Sequence, residues 1–340
     1  MQRMITLSYI FGMSTMFFCL MAWFFWHKGG RLNIMTSVLT AVIGLECVKD
    51  YVFINIGLYE VEYYWNTMTA VDMVAVPLYA FILKELIHPG RLTTRAIVWQ
   101  ELPFVVLPTA YIASGKEWIF YIEVGWAALY GTFFLVWTMV NIPRYNRRLK
   151  ELYSYTENVN LTWLRVILYT FYGILAVWII DCVTIHIDIE CFYMTSNLVL
   201  WMFIAYFLYR HESVISELGD ETAAPNTSSD NANGHSLAPK IEELFIQEKV
   251  YLNPKLKLSD VTRAVGSNRT YVSNYFNREL NTTFFDYVNS LRIEYACKML
   301  REGQENLSVV ALRSGFNSLS TFHRVFCKVR GVTPAEYRKA

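Results

Sequence analysis

The chain has 340 residues, a formal net charge of +1, and a composition that is 54% hydrophobic and 16% aromatic. This apolar content exceeds what the core of an ordinary soluble domain needs, and it argues against an entirely soluble protein. The charge is uneven, because residues 240–340 carry 16 Lys/Arg against 10 Asp/Glu, whereas residues 1–239 carry 14 against 19. A basic C-terminal region therefore follows an apolar, slightly acidic one, and a basic domain favours a polyanionic partner.

Long apolar segments fill the first 210 residues. Met4–Trp26 is almost wholly apolar and has about the twenty residues that a helix needs to cross a bilayer. It is too long for a signal peptide, and no small-residue cleavage site follows, so we expect a retained membrane helix. Six further segments share its character: Leu32–Ile56, Trp65–Ile87, Ala96–Ala113, Trp118–Asn141, Trp163–Ile185 and Tyr193–Tyr209. The sequence thus predicts a seven-helix transmembrane bundle over residues 1–210, although Pro103 and Pro108 count against the fourth span.

Basic residues alternate between the predicted loops. The first, third and fifth loops and the end of the last span carry most of the Lys and Arg residues: Lys28, Arg31, Arg91, Arg95, Arg144, Arg147, Arg148, Lys150 and Arg210. The even-numbered loops are acidic or balanced, with Glu60, Glu62, Lys116, Glu117, Asp188 and Glu190. Because basic loops stay in the cytoplasm, this alternation predicts a multi-pass protein of the bacterial cytoplasmic (inner) membrane. Its N-terminus is expected outside and its C-terminal domain in the cytoplasm.

Several charged residues interrupt the predicted spans. Glu46, Lys49 and Asp50 lie in the second span, Asp72 in the third and Asp181 in the sixth. A charge at mid-membrane costs roughly 2.5 to 3.5 kcal/mol on insertion scales, so such residues often serve a ligand, an ion or a proton. Lys49 is expected to pair with Glu46 one helical turn away. We predict a membrane sensing pocket made of these five residues, and the alternative is hydrogen bonding between helices.

A polar segment separates the apolar region from the basic one. Residues 211–239 are rich in Ser, Ala and Asn and contain few large apolar side chains, so they predict a flexible linker. About 25 such residues have a typical end-to-end distance near 28 Å. Two tails tethered to one membrane homodimer would meet at high effective concentration, and the sequence is compatible with such a dimer.

The end of the chain contains two short helix patterns separated by a glycine. The first helix is expected to be capped by Ser308 and to end at Gly315, and the second to begin after Asn317. This arrangement predicts a helix-turn-helix. Apolar residues supply the helices: Val309, Val310, Leu312, Phe322, Val325, Phe326 and Val329.

The same pattern occurs twice within residues 240–340. Four residues stand 49 positions before identical partners: Leu258, Ser259, Val261 and Gly266. Four more stand 50 positions before identical or acidic partners: Phe276, Thr283, Asp286 and Tyr287. A repeat that includes polar positions is hard to obtain by chance, and it predicts two helix-turn-helix units in one all-helical domain.

A helix over Phe284–Arg301 is predicted to join the two units. Its inward stripe is Ile293, Ala296, Cys297 and Leu300, which leaves Arg292 for solvent or phosphate. In the first recognition helix, capped by Asn268, four residues are expected to face inward: Val272, Tyr275, Phe276 and Leu280. The remaining polar residues of both recognition helices are then free to face outward.

The segment GFNSLSTFHRVFCKVRGVTPAEYR, from Gly315 to Arg338, resembles the signature of AraC/XylS-type bacterial regulators. The resemblance covers about the last hundred residues, and it implies two recognition helices that enter successive major grooves of DNA. Arg324 is expected to bind a guanine through two acceptors, worth about 1 to 3 kcal/mol in discrimination. The predicted DNA-binding residues are Arg269, Thr270, Ser273, Asn274, Asn317, Leu319, Ser320, His323 and Arg324.

Together these patterns predict an all-α protein in which a seven-helix transmembrane bundle is followed by a double helix-turn-helix domain. The expected function is a membrane-bound, sequence-specific transcriptional regulator of the AraC type. Its partners would be promoter DNA, the lipid bilayer and an unknown small-molecule, ion or protein signal. The alternative is a membrane transporter or intramembrane enzyme with a regulatory DNA-binding tail. The sequence contains no CxxC, HxxH or HExxH spacing, so we expect no cofactor, no metal and no enzymatic activity.

Overall fold

The structure, a computed structural model, describes residues 2–58, 61–157, 159–170, 172–173, 187–211, 237–303 and 305–339. The chain divides into two compact units. The N-terminal unit comprises Met1–Pro143 and Leu161–Ile215, and the C-terminal unit comprises Arg144–Asn160 and Ser216–Ala340. The predicted domain boundaries did not place residues 144–160 with the C-terminal region. Most of the predicted linker, residues 212–236, lies outside the described residues.

The described part of the N-terminal unit is helical. Its helices are α1 (Gln2–Lys28), α2 (Arg31–Asn55), α3 (Glu62–Asp72), α4 (Ala75–Ile87), α5 (Thr94–Ser114), α6 (Glu117–Leu152), α7 (162–170) and α8 (Ile187–Arg210). Helix α1 packs against α2 and α8. Phe11, Phe18 and Phe25 recur every seven residues on its buried face, and the Phe18 ring lies 5.7 Å from that of Trp201 in α8. The apolar repeat of α1 therefore fixes how this helix packs within the unit.

Four of the described helices are long and apolar enough to cross a membrane: Thr6–Lys28, Thr94–Ser114, Glu117–Leu152 and Cys191–Arg210. The second predicted span is one helix, α2, but this helix carries four charged residues, Arg31, Glu46, Lys49 and Asp50. The third predicted span, Trp65–Ile87, is not one continuous helix, because α3 ends at Asp72 and α4 begins at Ala75. Most of the sixth lies outside the described residues. The count of seven spans stays a prediction.

Helix α5 is continuous through both of its prolines, Pro103 and Pro108. The side chain of Thr93 caps its start by accepting a hydrogen bond from the backbone of Ala96 at 3.3 Å. Gly115 ends it with a φ of 62°, a left-handed conformation that glycine adopts without steric cost. The prolines therefore do not end this segment, in contrast to what they suggest in the sequence.

Helix α6 is longer than the predicted span Trp118–Asn141. It has 36 residues and is about 54 Å long at 1.5 Å per residue, well beyond the hydrocarbon thickness of about 30 Å. It continues through Pro143 to Leu152, and its last turns belong to the C-terminal unit. The basic run from Arg144 to Lys150, predicted to be a loop, is thus helical.

The C-terminal unit contains two helix-turn-helix pairs joined by a long helix. Its elements are α9 (Leu237–Ile246), a 3₁₀ turn (Val250–Leu252), α10 (Leu258–Val265), α11 (Arg269–Asn274), a π-helical turn (Tyr275–Glu279), α12 (Phe284–Glu302), α13 (Leu307–Arg313), α14 (Leu319–Arg330) and α15 (Pro334–Lys339). Helices α10 and α11 form the first pair, and α13 and α14 the second. Gly266 and Gly315 take positive φ values of 64° and 86° at the two turns, as the repeated glycine predicts.

The repeated polar residues form matching helix starts. The hydroxyl of Thr283 accepts from the backbone of Asp286 at 3.1 Å and donates to its carboxylate at 2.9 Å. Fifty positions later, Thr333 Oγ1 accepts from the backbone of Glu336 at 3.2 Å, while Glu336 accepts from the backbone of Thr333 at 2.8 Å. Both pairs satisfy backbone N–H groups that a helix start leaves unpaired. This shared requirement explains why the repeat includes polar positions.

Two of the predicted caps were misplaced. Asn268 caps α11 as expected, accepting from the backbone of Thr270 at 2.9 Å. Helix α13 is capped by Asn306 rather than Ser308, and α14 by Ser318 rather than Asn317. In each case the observed cap, Asn306 or Ser318, lies immediately before the first helical residue, where a side chain reaches the N2 or N3 amide.

Most of the predicted inward residues are buried, including Val272, Phe322 and Ile293. Leu280 is exposed, because the π-helical turn before it shifts the periodicity by one residue. Three of the apolar residues that supply the helices of the second pair are also exposed: Val309, Leu312 and Val329. The short α13 buries Val310 and Ala311 instead.

Candidate nucleic-acid interface

The first recognition helix, α11, is anchored by one face and presents the other. Val272 is fully buried, whereas Thr270 is exposed and Ser273 and Asn274 are half-buried. Tyr271, between the cap and this anchor, is 57% exposed. An exposed aromatic side chain beside the predicted readers was not recognised from the sequence, although its position off the inward spacing of Val272 was visible there.

The second recognition helix, α14, has the same organisation. Phe322, Val325 and Phe326 lie in a core with residues of α12 and α13. On the other faces, the predicted residues Leu319, Ser320 and Arg324 are exposed and His323 is half-buried. Packing of the inner face fixes the direction of the outer side chains, and a groove-binding helix requires such fixed side chains.

Two predicted DNA-binding residues are less accessible. The side chain of Asn317 donates a hydrogen bond to the backbone oxygen of Pro254 at 2.9 Å, which ties the turn before α14 to the segment before α10. Arg269 is half-buried. Neither is held out into solvent in the way that Arg324 is.

Arg292 is the main correction to the predicted surface. It was expected to face solvent or phosphate, but it is 1% exposed. Its guanidinium donates to the backbone oxygens of Tyr251, Asn253 and Ser154 at 2.7, 2.7 and 3.0 Å. Further bonds reach the side chains of Ser154 at 2.9 Å and Asn289 at 3.2 Å, so all five N–H donors of the guanidinium are used.

Burial determines the electrostatics of Arg292. Desolvation lowers its pKa to about 10, and the nearby charge of Glu157 opposes this shift. Gly315 lies against the same group, because an added Cβ would come within 2.8 Å of the Tyr251 oxygen and 3.0 Å of the Arg292 Nε. Arg292 therefore joins the segment before the first helix-turn-helix pair to the turn of the second.

Exposed basic residues supply positive charge on the C-terminal unit. Lys328 is partly neutralised by Asp286 at 2.8 Å. Burial works to raise the pKa of Asp286, but hydrogen bonds from Lys328 and Thr283 outweigh it and leave the pKa below its usual value. Basic side chains of this kind bind nucleic acid largely through phosphates. Those exposed on the helices of the two pairs, on the π-helical turn and on α12 are Arg263, Arg278, Lys298, Arg301, Arg313, Arg324, Lys328 and Arg330.

The N-terminal unit brings together part of the predicted sensing pocket. The ammonium of Lys49 lies 2.5 Å from Asp72 and 2.9 Å from Asp50, and it also donates to the backbone oxygen of Met68 at 3.0 Å. The predicted pair with Glu46 was wrong, since Lys49 turns toward α3. Among the described residues, the buried Glu46 Oε1 has no hydrogen-bond partner. Asp181 lies outside the described residues.

A second buried carboxylate in this unit was not predicted. Glu85, near the end of α4, is 2% exposed and lies 3.3 Å from the guanidinium of Arg31 at the start of α2. It also accepts from the backbone of Gly90 at 2.9 Å. The sequence did not reveal this pair, because its partners are far apart in the chain.

Comparison with known proteins identifies the C-terminal region. Residues 261–340 match the helix-turn-helix domain family. The melibiose operon regulatory protein of Escherichia coli is 32% identical over 84 residues, which are 25% of this chain and 28% of that protein. An uncharacterized HTH-type transcriptional regulator of Staphylococcus aureus is 29% identical over 99 residues, 29% of this chain and 13% of that protein. The chain thus spans less than a third of the length of these relatives.

Solved structures give a similar partial match. The C-terminal domain of the two-component response regulator yesN from Fusobacterium nucleatum is 25% identical, with a TM-score of 0.28, and covers 30% of this chain and 96% of that one. The sequence matches define the class of the C-terminal region. It contains a helix-turn-helix domain of the kind found in AraC/XylS-type regulators.

Proposed function

We propose that the chain is a membrane-embedded transcriptional regulator. Its C-terminal unit would bind promoter DNA in the cytoplasm, and its N-terminal unit would sense a signal. The relatives that match the C-terminal region are named as a regulatory protein of the melibiose operon and as a transcriptional regulator. Their names support regulation by DNA binding, and the apolar helices support a membrane location.

The observation that carries this proposal is the shared design of α11 and α14. Helix α11 is anchored by the buried Val272 and α14 by a buried apolar face that includes Phe322. Both present polar side chains on the outer face, with Thr270 on one and Ser320 and Arg324 on the other. Base edges in the major groove are read by such side chains near the start of a recognition helix. Two helices of this kind in one chain suit two successive grooves.

The membrane part of the proposal rests on helices whose exposed side chains are apolar. Along α5 and α6 these include Trp99, Leu129 and Phe133. In water such a surface would be an aggregation hazard, whereas in lipid it is the expected surface of a spanning helix. The positive-inside distribution supports a cytoplasmic location for the C-terminal unit, on the side where the DNA is.

The Lys49 cluster is the proposed sensing site. It holds two carboxylates and one ammonium in a segment that would lie within the membrane. Charges there are costly unless they pair or serve an ion, a proton or a ligand. The break between α3 and α4, next to Asp72, places irregular backbone beside the cluster.

The test is a selection of duplex DNA from a random pool with the full chain solubilised in detergent. The proposal expects one sequence family to be enriched. Arg324→Ala should then lose about 1 to 3 kcal/mol of discrimination at one base position. As a matched control, Arg301→Ala should weaken binding to all sequences and reduce the salt slope by about 1. A chain that enriches no sequence over random duplex would refute the proposal.

A further inference from the structure

The segment that follows α6, residues 153–157, is an integral part of the C-terminal unit. Tyr153, Ser154 and Tyr155 are buried. Tyr153 forms an isolated antiparallel bridge with Lys257, and the backbone N–H of Ser154 donates to the Leu256 oxygen at 3.1 Å. We call residues 153–157 the strap. It is bridged to the segment just before the first helix-turn-helix pair, although Ser154 and Leu256 are 102 residues apart in the chain.

Ser154 is the centre of this contact. Its backbone oxygen accepts from Arg292 Nη1 at 3.0 Å and from Asn289 Nδ2 at 3.1 Å. Its hydroxyl accepts from Arg292 Nη2 at 2.9 Å and donates to the Leu256 oxygen at 2.8 Å. The strap thus satisfies two of the five donors of a buried guanidinium. Removing it would leave those donors unpaired or open them to water. We call the site that binds the strap, formed by Asn289, Arg292 and the Leu256 oxygen, the seat.

The strap also reaches the second recognition helix. Arg324 Nη2 donates to Thr156 Oγ1 at 3.4 Å, a long and therefore weak bond. The next residue, Glu157, accepts from the backbone of Thr156 at 3.2 Å, and its charge acts on Arg292. The Glu157 carboxylate is next to Thr156, which contacts Arg324, so it repels phosphates of DNA that approaches Arg324. The Thr156 hydroxyl competes with a base for the Arg324 guanidinium.

We propose that the strap is an intrachain ligand of the DNA-binding unit, seated on Arg292 and in contact with Arg324, and that its seating weakens DNA binding by the second recognition helix. This inference rests on the proposed function. It adds a direct contact to the sequence-based expectation that only the flexible linker connects the two regions. Because the strap follows α6 without a break, a change in the N-terminal unit has a covalent route to the seat. Release of the strap would free Arg324 for DNA.

Hydrogen exchange of the full chain in detergent micelles tests the seating. The expected result is a protected amide at Ser154 in the wild type and roughly tenfold faster exchange in Ser154→Ala, which loses the hydroxyl bonds to Arg292 and Leu256. Ser290→Ala is the matched control, since that hydroxyl donates only within its own helix, to the Tyr287 oxygen at 2.7 Å. Exchange of Ser154 at the unprotected rate in the wild type would overturn the seating.

The second part of the proposal is that the seated strap weakens DNA binding, and we call this the regulatory half. It is tested by measuring the DNA affinity of the same proteins, with the duplex from the selection above as the probe. Ser154→Ala, and separately Thr156→Val, should bind it about two- to tenfold more tightly, while Ser290→Ala should not change. Weaker or unchanged binding by both strap variants would overturn the proposal and make the strap a structural support only. If the wild type selects no duplex, the proposed function fails and the regulatory half fails with it. The exchange measurement still decides the seating.

Discussion

The two units of the chain place their side chains in opposite ways. In the N-terminal unit most of the exposed residues of α6 are apolar, including Leu129 and Phe133, while Glu85 is buried and Lys49 half-buried. In the C-terminal unit the outer face of α14 carries Arg324 and its inner face is apolar. The same helical periodicity therefore serves two different solvents, which is the physical basis for proposing that one unit lies in lipid and the other in water.

The two units also hold their buried cations differently. Lys49 is compensated by two carboxylates, whereas Arg292 is surrounded mainly by neutral oxygens. An arginine tolerates this because its fork offers five donors in fixed directions and is more weakly hydrated than an ammonium. The comparison shows that a buried charge in the C-terminal unit serves to join segments rather than to form an ion pair.

The largest expected effect, on the stability of the C-terminal unit, comes from removing the Arg292 guanidinium, the junction between its segments. Arg292→Ala would leave the carbonyls of Tyr251 and Asn253 without their donors and open a cavity, at a cost of about 3 to 5 kcal/mol to the C-terminal unit. Exchange-derived unfolding free energies of α12 and α14 in the full chain would measure it. Arg301→Ala is the control, because the exposed Arg301 guanidinium lies over the Tyr337 ring at 5.2 Å. Such a contact at an exposed site contributes below about 1 kcal/mol. Equal costs would show that Arg292 is no junction.

Two exposed leucines, one in each unit, test whether α6 lies in lipid while the C-terminal unit lies in water. Leu129 and Leu312 are 71% and 64% exposed, so in water a lysine at either position should cost almost nothing. If α6 lies in lipid, Leu129→Lys should cost roughly 2.5 to 3.5 kcal/mol and lower the membrane-inserted fraction. Quantifying the carbonate-resistant membrane fraction of both variants measures this difference. Identical fractions would remove the contrast between the units.

Two glycines with similar backbone geometry separate packing from conformation. Gly315 and Gly331 have φ values of 86° and 75°, so alanine is strained at both. Only at Gly315 would a Cβ meet neighbouring atoms, within 2.8 Å of the Tyr251 oxygen. Gly315→Ala should therefore cost about 1 to 3 kcal/mol more than Gly331→Ala, as measured by exchange in α13 and α14. A smaller cost at Gly315 would mean that the turn is not packed against Arg292.

The smallest expected effect is a dependence on acid pH. The folded pKa of Asp286 lies below its usual value because Lys328 and Thr283 outweigh burial. The contribution of this carboxylate to stability is thus present above its unfolded pKa and is lost as pH falls through the folded one. Lys328→Gln should reduce the acid-range loss, measured as exchange protection of α12 corrected for intrinsic rates. An unchanged pH profile would show that the exposed pair contributes nothing.

Local spacing along the chain predicts the helices and their caps. The contacts that were not predicted join residues far apart in the chain. The Asn268 cap and the stripe containing Ile293 follow from spacing along one helix, so both were predicted correctly. Arg292 was misplaced because its partners at 154, 251 and 253 are at least 39 residues away. Lys49 was paired with Glu46 because one of its two actual partners, Asp72, lies 23 residues further along the chain. Periodicity cannot encode such pairs.

A chain that is held in the membrane and regulates transcription must bind DNA from the cytoplasmic side. Membrane vesicles from cells expressing the full chain can be prepared in both orientations and mixed with the selected duplex. Inverted vesicles, which expose the cytoplasmic face, should retain it, and right-side-out vesicles should not. Duplex retained only by right-side-out vesicles, or bound entirely in the soluble fraction, would contradict the account.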